Sequence, residues 1–109
     1  SLEEMFRLAL THTPGSETYN KIFMTAVQLF PDNPVANLNA ACISLMQRDV
    51  KSAGHYLEKA PEVPETALAK GVLYLLKNQY EEAESFFRQA KAAGLSQADD
   101  NLKRILELK

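Results

Sequence analysis

The most constraining feature of this 109-residue chain is a match to itself at a spacing of 30 residues. Pro34 and Pro64, Leu38 and Leu68, Ala41 and Gly71, Leu45 and Leu75, and Met46 and Leu76 pair in this way. So do Val50 and Tyr80, Ala53 and Ala83, Leu57 and Phe87, and Ala60 and Ala90. Identical or similar residues recurring at one period mark a repeated supersecondary unit, because neighbouring copies must bury equivalent faces. Within residues 71–90 the spacing is helical, then broken, then helical again. Small residues at Gly71 and Ala83 let two antiparallel helices approach closely, and Tyr74, Tyr80 and Phe87 fill the space around the contact.

Prolines and caps divide the rest of the chain. A first helix is expected from Leu2 to about Thr11, with Leu2, Met5, Phe6 and Ala9 on its apolar face and Leu8 and Leu10 widening it. His12-Thr13-Pro14-Gly15 stops it. Ser16 is placed to cap a second helix whose face carries Tyr19, Ile22, Phe23, Ala26, Val27 and Phe30. Pro31-Asp32-Asn33-Pro34 separates this helix from a third, capped by Asn33 and running to about Gln47. Asp49 caps a fourth, from Val50 to about Ala60. Pro61-Glu62-Val63-Pro64 leads to a fifth, ending near Lys77, and a sixth follows from about Tyr80 to Ala93. Gly94 suits a left-handed stop. Ser96 with Asp99 resembles a capping box for a seventh helix reaching the chain end, with Ala98, Leu102, Ile105 and Leu106 on one face.

Composition removes several function classes. The chain is 46% hydrophobic and 24% charged, with a net charge of -2. It has no basic surplus for a nucleic-acid backbone. Its longest apolar run, residues 72–76, is far short of the roughly 18 residues of a membrane span. No helix joins a basic face to a strongly apolar one, so no membrane insertion is expected. A single cysteine, Cys42, excludes an internal disulfide and fits any compartment. The abrupt start, without an initiator Met, reads as a piece of a longer protein.

The order Gly71, Tyr74, Ala83, Phe87, Ala90 resembles the tetratricopeptide (TPR) motif, a helix–turn–helix unit of about 34 residues. Residues 34–63 resemble it less closely. Residues 1–33 form a degenerate copy, with Phe23-Met24-Thr25-Ala26-Val27-Gln28-Leu29-Phe30-Pro31-Asp32-Asn33 similar to the end of a unit and Arg7 in place of the small residue. The resemblance implies an all-α, right-handed α-solenoid of about three units (1–33, 34–63 and 64–95) with a capping helix at 96–109, one domain in all. Because 30 is shorter than the family period, the link after the fourth helix is expected to be tight.

The resemblance also implies function: a non-catalytic scaffold that binds a peptide, helix or protein segment in an apolar groove lined by the first helix of each unit. The groove positions would be Glu4 and Leu8, then Leu38, Asn39, Cys42 and Leu45, then Leu68, Val72 and Leu75. Asn39 stands where chaperone-binding TPRs grip a C-terminal carboxylate. Glu65 and Ala69 stand where that clamp needs cations, and Leu8 replaces another Asn, so an Hsp70/Hsp90-tail adaptor is not expected. The same apolar positions could instead be packed inside the stack. The alternative role is a structural module that docks on the rest of its own chain or self-associates, as a monomer or weak homodimer. Residues 93–102 are similar to the closing helix of TPR tails of bacterial cell-envelope proteins, which suggests an envelope or periplasmic setting, with the cytoplasm as the alternative.

Chemistry-bearing residues are sparse. His12, His55 and Cys42 lack the spacing of three or four convergent metal ligands. Cys42 has no evident base beside it, and no glycine-rich phosphate loop exists. No catalytic residue, metal or cofactor is expected. Glu81, Glu82 and Glu84 complement the start of the sixth helix, and Glu84 is spaced to pair with Arg88.

Overall fold

In the computed structural model, residues 1–108 are described; Lys109, the end of the expected seventh helix, lies outside them. Among the described residues the chain forms seven α-helices and no strands. They are α1 (Leu2–Ala9), α2 (Glu17–Leu29), α3 (Pro34–Met46), α4 (Val50–Leu57), α5 (Pro64–Leu76), α6 (Tyr80–Ala92) and α7 (Gln97–Leu108). Three expected caps form through their side chains. Ser16 Oγ accepts from the Tyr19 N–H at 3.3 Å, Asn33 Oδ1 from Ala36 at 2.9 Å and Asp49 Oδ1 from Ser52 at 3.1 Å. Each satisfies a backbone donor that the first helical turn leaves unpaired. The chain folds as two compact units, Ser1–Pro61 and Glu62 onward, which divide inside the Pro61-Glu62-Val63-Pro64 link.

In the first unit α1 packs on α2, α2 on α3, and α3 on α4. Ala9, Phe23 and Ile43 form one buried cluster, edged by Phe6, Tyr19, Ile22 and Met24. The Phe23 ring meets Phe6 at 5.5 Å and Tyr19 edge-on at 4.7 Å between centroids. A second cluster joins Val27, Ala36 and Ala40, with Leu2 and Tyr56 packed against it. Leu8 and Leu10 do not widen the face of α1 as expected; both are exposed. At about 100° per residue Leu8 falls away from the Leu2–Phe6–Ala9 stripe, and Leu10 lies past the last helical residue. Phe30 likewise leaves the α2 face, because the helix ends at Leu29 and the backbone turns there.

The Pro31-Asp32-Asn33 link is fastened from both sides. The buried Asn37 amide donates to the carbonyls of Pro31 at 2.9 Å and Asn33 at 2.8 Å. Lys59, just beyond α4, pairs with Asp32 at 3.0 Å.

In the second unit α6 packs against both α5 and α7. Ala67, Ala83, Phe87, Ala90, Ala98 and Ile105 make the core, and Tyr74, Tyr80, Leu95 and Leu102 are among the side chains around it. Gly71 faces Phe87 at a distance that only a residue without a Cβ permits. Beside this contact, Tyr74 and Phe86 stack at 5.5 Å, with Lys77 over the Tyr74 ring and Lys70 over the Phe86 ring. Gly94 ends α6 at φ +101°, in the left-handed region expected of it, and the Leu95 N–H reaches back to Ala90 O at 3.1 Å. Leu106, expected on the buried face of α7, is 68% exposed. Ala98, Leu102 and Ile105 already point that helix at α6. The Ser96–Asp99 pair is held by its backbone, the Asp99 N–H donating to Ser96 O, while the Asp99 carboxylate meets Lys91 at 2.9 Å across the turn.

The 30-residue match in sequence is a match in structure. Helices α3 and α5 each have 13 residues and begin at Pro34 and Pro64. Both end on a non-glycine residue in the left-handed region, Arg48 at φ 60° and Asn78 at φ 62°. Both turns close with the same bond, Asp49 N–H to Ser44 O and Gln79 N–H to Tyr74 O, each 2.9 Å. This is the Schellman closure, here built without glycine. The short period has a different origin from the tight link expected. Helix α4 has 8 residues where α6 has 13, and the link after α4 (residues 58–63) is longer than that after α6 (residues 93–96). The missing residues come out of the helix.

Candidate protein-binding surface

Helix α3 is apolar nearly all round, so burial rather than sequence pattern decides which side chains remain available. Leu45, placed in the groove by sequence, is 8% exposed and belongs to the interior. Leu38 is half-buried. Leu45 lies among Ala41, Ile43 and Ser44, which are themselves buried, so it cannot line an open groove. The outward stripe consists of Val35, Asn39, Cys42 and Met46, at helical spacings of four, three and four. Val35 is 47% and Met46 58% exposed. Met46 Sδ lies beside Gly15 in the α1–α2 turn, which bounds the stripe at that end. Cys42 stays exposed as a residue, but protein atoms crowd its sulfur and push the thiol pKa above its ordinary value. A raised pKa disfavours the thiolate.

The positions on α5 behave differently. Leu68, Val72 and Leu75 are brought together, half-buried, against the Phe87 cluster. They form the rim of a core and keep only part of their surface in water. Leu8 stands exposed on α1. Of the sequence-derived set, the structure thus joins Asn39 to Cys42 on one face, and Leu68 to Val72 and Leu75 on another. Val35 and Met46 were absent from that set. Their spacing relative to Cys42 was the signal available.

A second surface lies between α6 and α7, where a cleft of about 430 Å³ opens. Its α6 wall carries Glu84, Arg88 and Lys91, and its α7 wall carries Asp99, Leu102, Lys103 and Leu106. The expected Glu84–Arg88 pair forms at 3.5 Å. Glu81 and Glu82 lie in the first turn of α6, where negative charge complements the helix dipole.

His12 is half-buried, and His55 is exposed with its ring 5.8 Å from Tyr56. Among the described residues no group of three or more His, Cys, Asp or Glu side chains is arranged to hold a metal ion. No described helix is long and apolar enough to cross a membrane. The chain matches no protein-family model, no curated protein and no solved structure.

Proposed function

We propose that this chain is a TPR-like solenoid, with about three helix–turn–helix units and a capping helix, and that it works as a non-catalytic scaffold. It holds a peptide, helix or protein segment against the outward faces of its first helices. Three observations support the repeat assignment: the shared 13-residue first helices, the paired left-handed turns at Arg48 and Asn78, and the small-on-large contact of Gly71 with Phe87. The observation that carries the binding role is the Val35–Asn39–Cys42–Met46 stripe. It leaves two large apolar side chains in water on one helix face, with a polar amide between them.

Peptide selection by display on the wild-type chain and on a Val35→Asp/Met46→Asp variant tests this role. Both positions are exposed, so the variant keeps its thermal transition. Peptides enriched on the wild type and lost on the variant support the scaffold. Equal enrichment on both, or none on either, refutes it. Light scattering on the same samples distinguishes self-association, since a dimer that the double substitution dissolves assigns the face to a second copy of the chain.

A further inference from the structure

We propose that Met46 is a redox modification site that switches the α3 stripe: peroxide converts its thioether to the sulfoxide, and the docked segment is released. The inference rests on reading that stripe as a docking face. Sulfur in this chain is confined to Met5, Met24, Met46 and Cys42. Oxidation of such groups follows their exposure. Met46 is 58% exposed, whereas Met5 and Met24 are half-buried and Met24 packs on both buried clusters of the first unit. The turn before α2 meets the Met46 sulfur with Gly15, where a Cβ would stand 3.9 Å from Sδ. Any other residue would set a side chain against the sulfur, and glycine leaves that approach open. Cys42, one helical turn earlier on the same stripe, is the competitor for peroxide. Its sulfur is crowded and burial raises its pKa, so the reactive thiolate is scarce.

The step balances with peroxide as the oxidant. The sulfur lone pair attacks one peroxide oxygen, and the O–O bond breaks as the S–O bond forms. The transferred oxygen gives its proton to the departing hydroxide, which leaves as water. Sulfur loses the two electrons that peroxide gains. Two thiols reverse the change, leaving as a disulfide while the oxygen leaves as water. The modification turns an apolar side chain into a polar one. In the free protein water solvates the sulfoxide, because Met46 is exposed, and the fold is kept. An apolar side chain lying on the stripe would strip that water without replacing its hydrogen bonds, which disfavours the bound state.

The test treats the whole chain with dilute hydrogen peroxide and follows each sulfur over time by peptide mass spectrometry. Met46 should gain oxygen before Met5 and Met24, with Cys42 still a free thiol. Circular dichroism should show the thermal transition in place at that point. A peptide selected on the reduced chain should then bind about fivefold or more weakly, the scale of losing one partly exposed apolar contact. Methionine sulfoxide reductases with dithiothreitol should restore its affinity. In Met46→Leu, whatever its starting affinity, the same dose of peroxide should leave that affinity where it began. The proposal is overturned if Met5, Met24 or Cys42 is oxidised first, or if the chain unfolds as Met46 is oxidised. It is also overturned if the sulfoxide form binds the peptide as tightly as the thioether, in which case the docking reading stands and the switch alone fails. If no peptide binds the reduced chain, the docking reading fails and the switch falls with it.

Discussion

The ring of Phe87 on α6 lies against the α-carbon of Gly71 on α5, so close that a methyl group there would overlap Cδ1, Cε1 and Cζ of the ring. Phe87 is fully buried, so the ring has nowhere to swing. Gly71→Ala brings two opposed effects. Alanine favours a helix interior by about 1 kcal/mol, while overpacking a filled core costs about 1–3 kcal/mol. Overlap with an enclosed ring puts the cost at the upper end, so Gly71→Ala should destabilise, and Gly71→Leu more so. A urea midpoint unchanged by Gly71→Leu would remove the close-approach account of this helix pair.

Arg48 and Asn78 hold left-handed backbone without being glycine. That conformation costs an ordinary residue about 1–2 kcal/mol, and glycine returns roughly half of the gain through its freer unfolded state. Arg48→Gly should therefore raise stability by about 0.5–1 kcal/mol, and Asn78→Gly by less, because asparagine tolerates this region. Thermal melts of the two variants side by side check the order as well as the sign.

Asn37 is a buried amide whose two donated bonds tie the Pro31-Asp32-Asn33 link to α3. Its counterpart 30 residues later is Ala67. Asn37→Ala strips both carbonyls of their side-chain donor and should cost about 1–3 kcal/mol. Amide hydrogen exchange should quicken first in residues 30–37. Loss of stability without faster exchange there would mean that the amide does something other than clamp the link.

Asp49 caps α4, and its carboxyl pKa is held below the ordinary 3.8 by its hydrogen bonds to Ser52, with Lys51 adding a smaller attraction. A lowered folded-state value makes the charged form the stabilising one. Its contribution is thus complete above pH 3.8 and fades as the pH falls through the folded value. Asp49→Asn should flatten this part of the acid limb in a pH series of denaturation midpoints and leave the rest of the limb in place. An unchanged acid limb would contradict the capping role.

The elements that could be read from sequence are those whose cause is local. Ser16, Asn33 and Asp49 announce their helices because a short side chain next to the first turn has a backbone donor in reach. Gly94 announces its stop because glycine costs least in a left-handed turn. The length of α4 could not be read in this way. Residues 55–60 contain no breaker, yet the helix ends at Leu57, where the backbone tightens through Lys59 N–H to Tyr56 O and Ala60 N–H to Leu57 O. Lys59 then reaches Asp32, a partner 27 residues away. The turn at Arg48 was equally silent, since arginine carries no preference for its backbone. On α3 the difficulty is a surplus of apolar residues. Val35 and Leu45 look alike in sequence, and only packing turns one out and the other in.

The pairing of neighbours also bears on how the chain acquires its structure. In the first unit α1 meets α2, α2 meets α3 and α3 meets α4; in the second, α6 meets α5 and α7. Every one of these pairings joins helices consecutive in the chain, across connections as short as residues 47–49 and 77–79. Closing such short segments takes little chain entropy, and proteins dominated by local contacts fold on microsecond to millisecond scales. Each helix after the first of its unit therefore finds a partner in the one made just before it. Among the described residues, the helix pairings of either unit can form in the order in which they leave the ribosome.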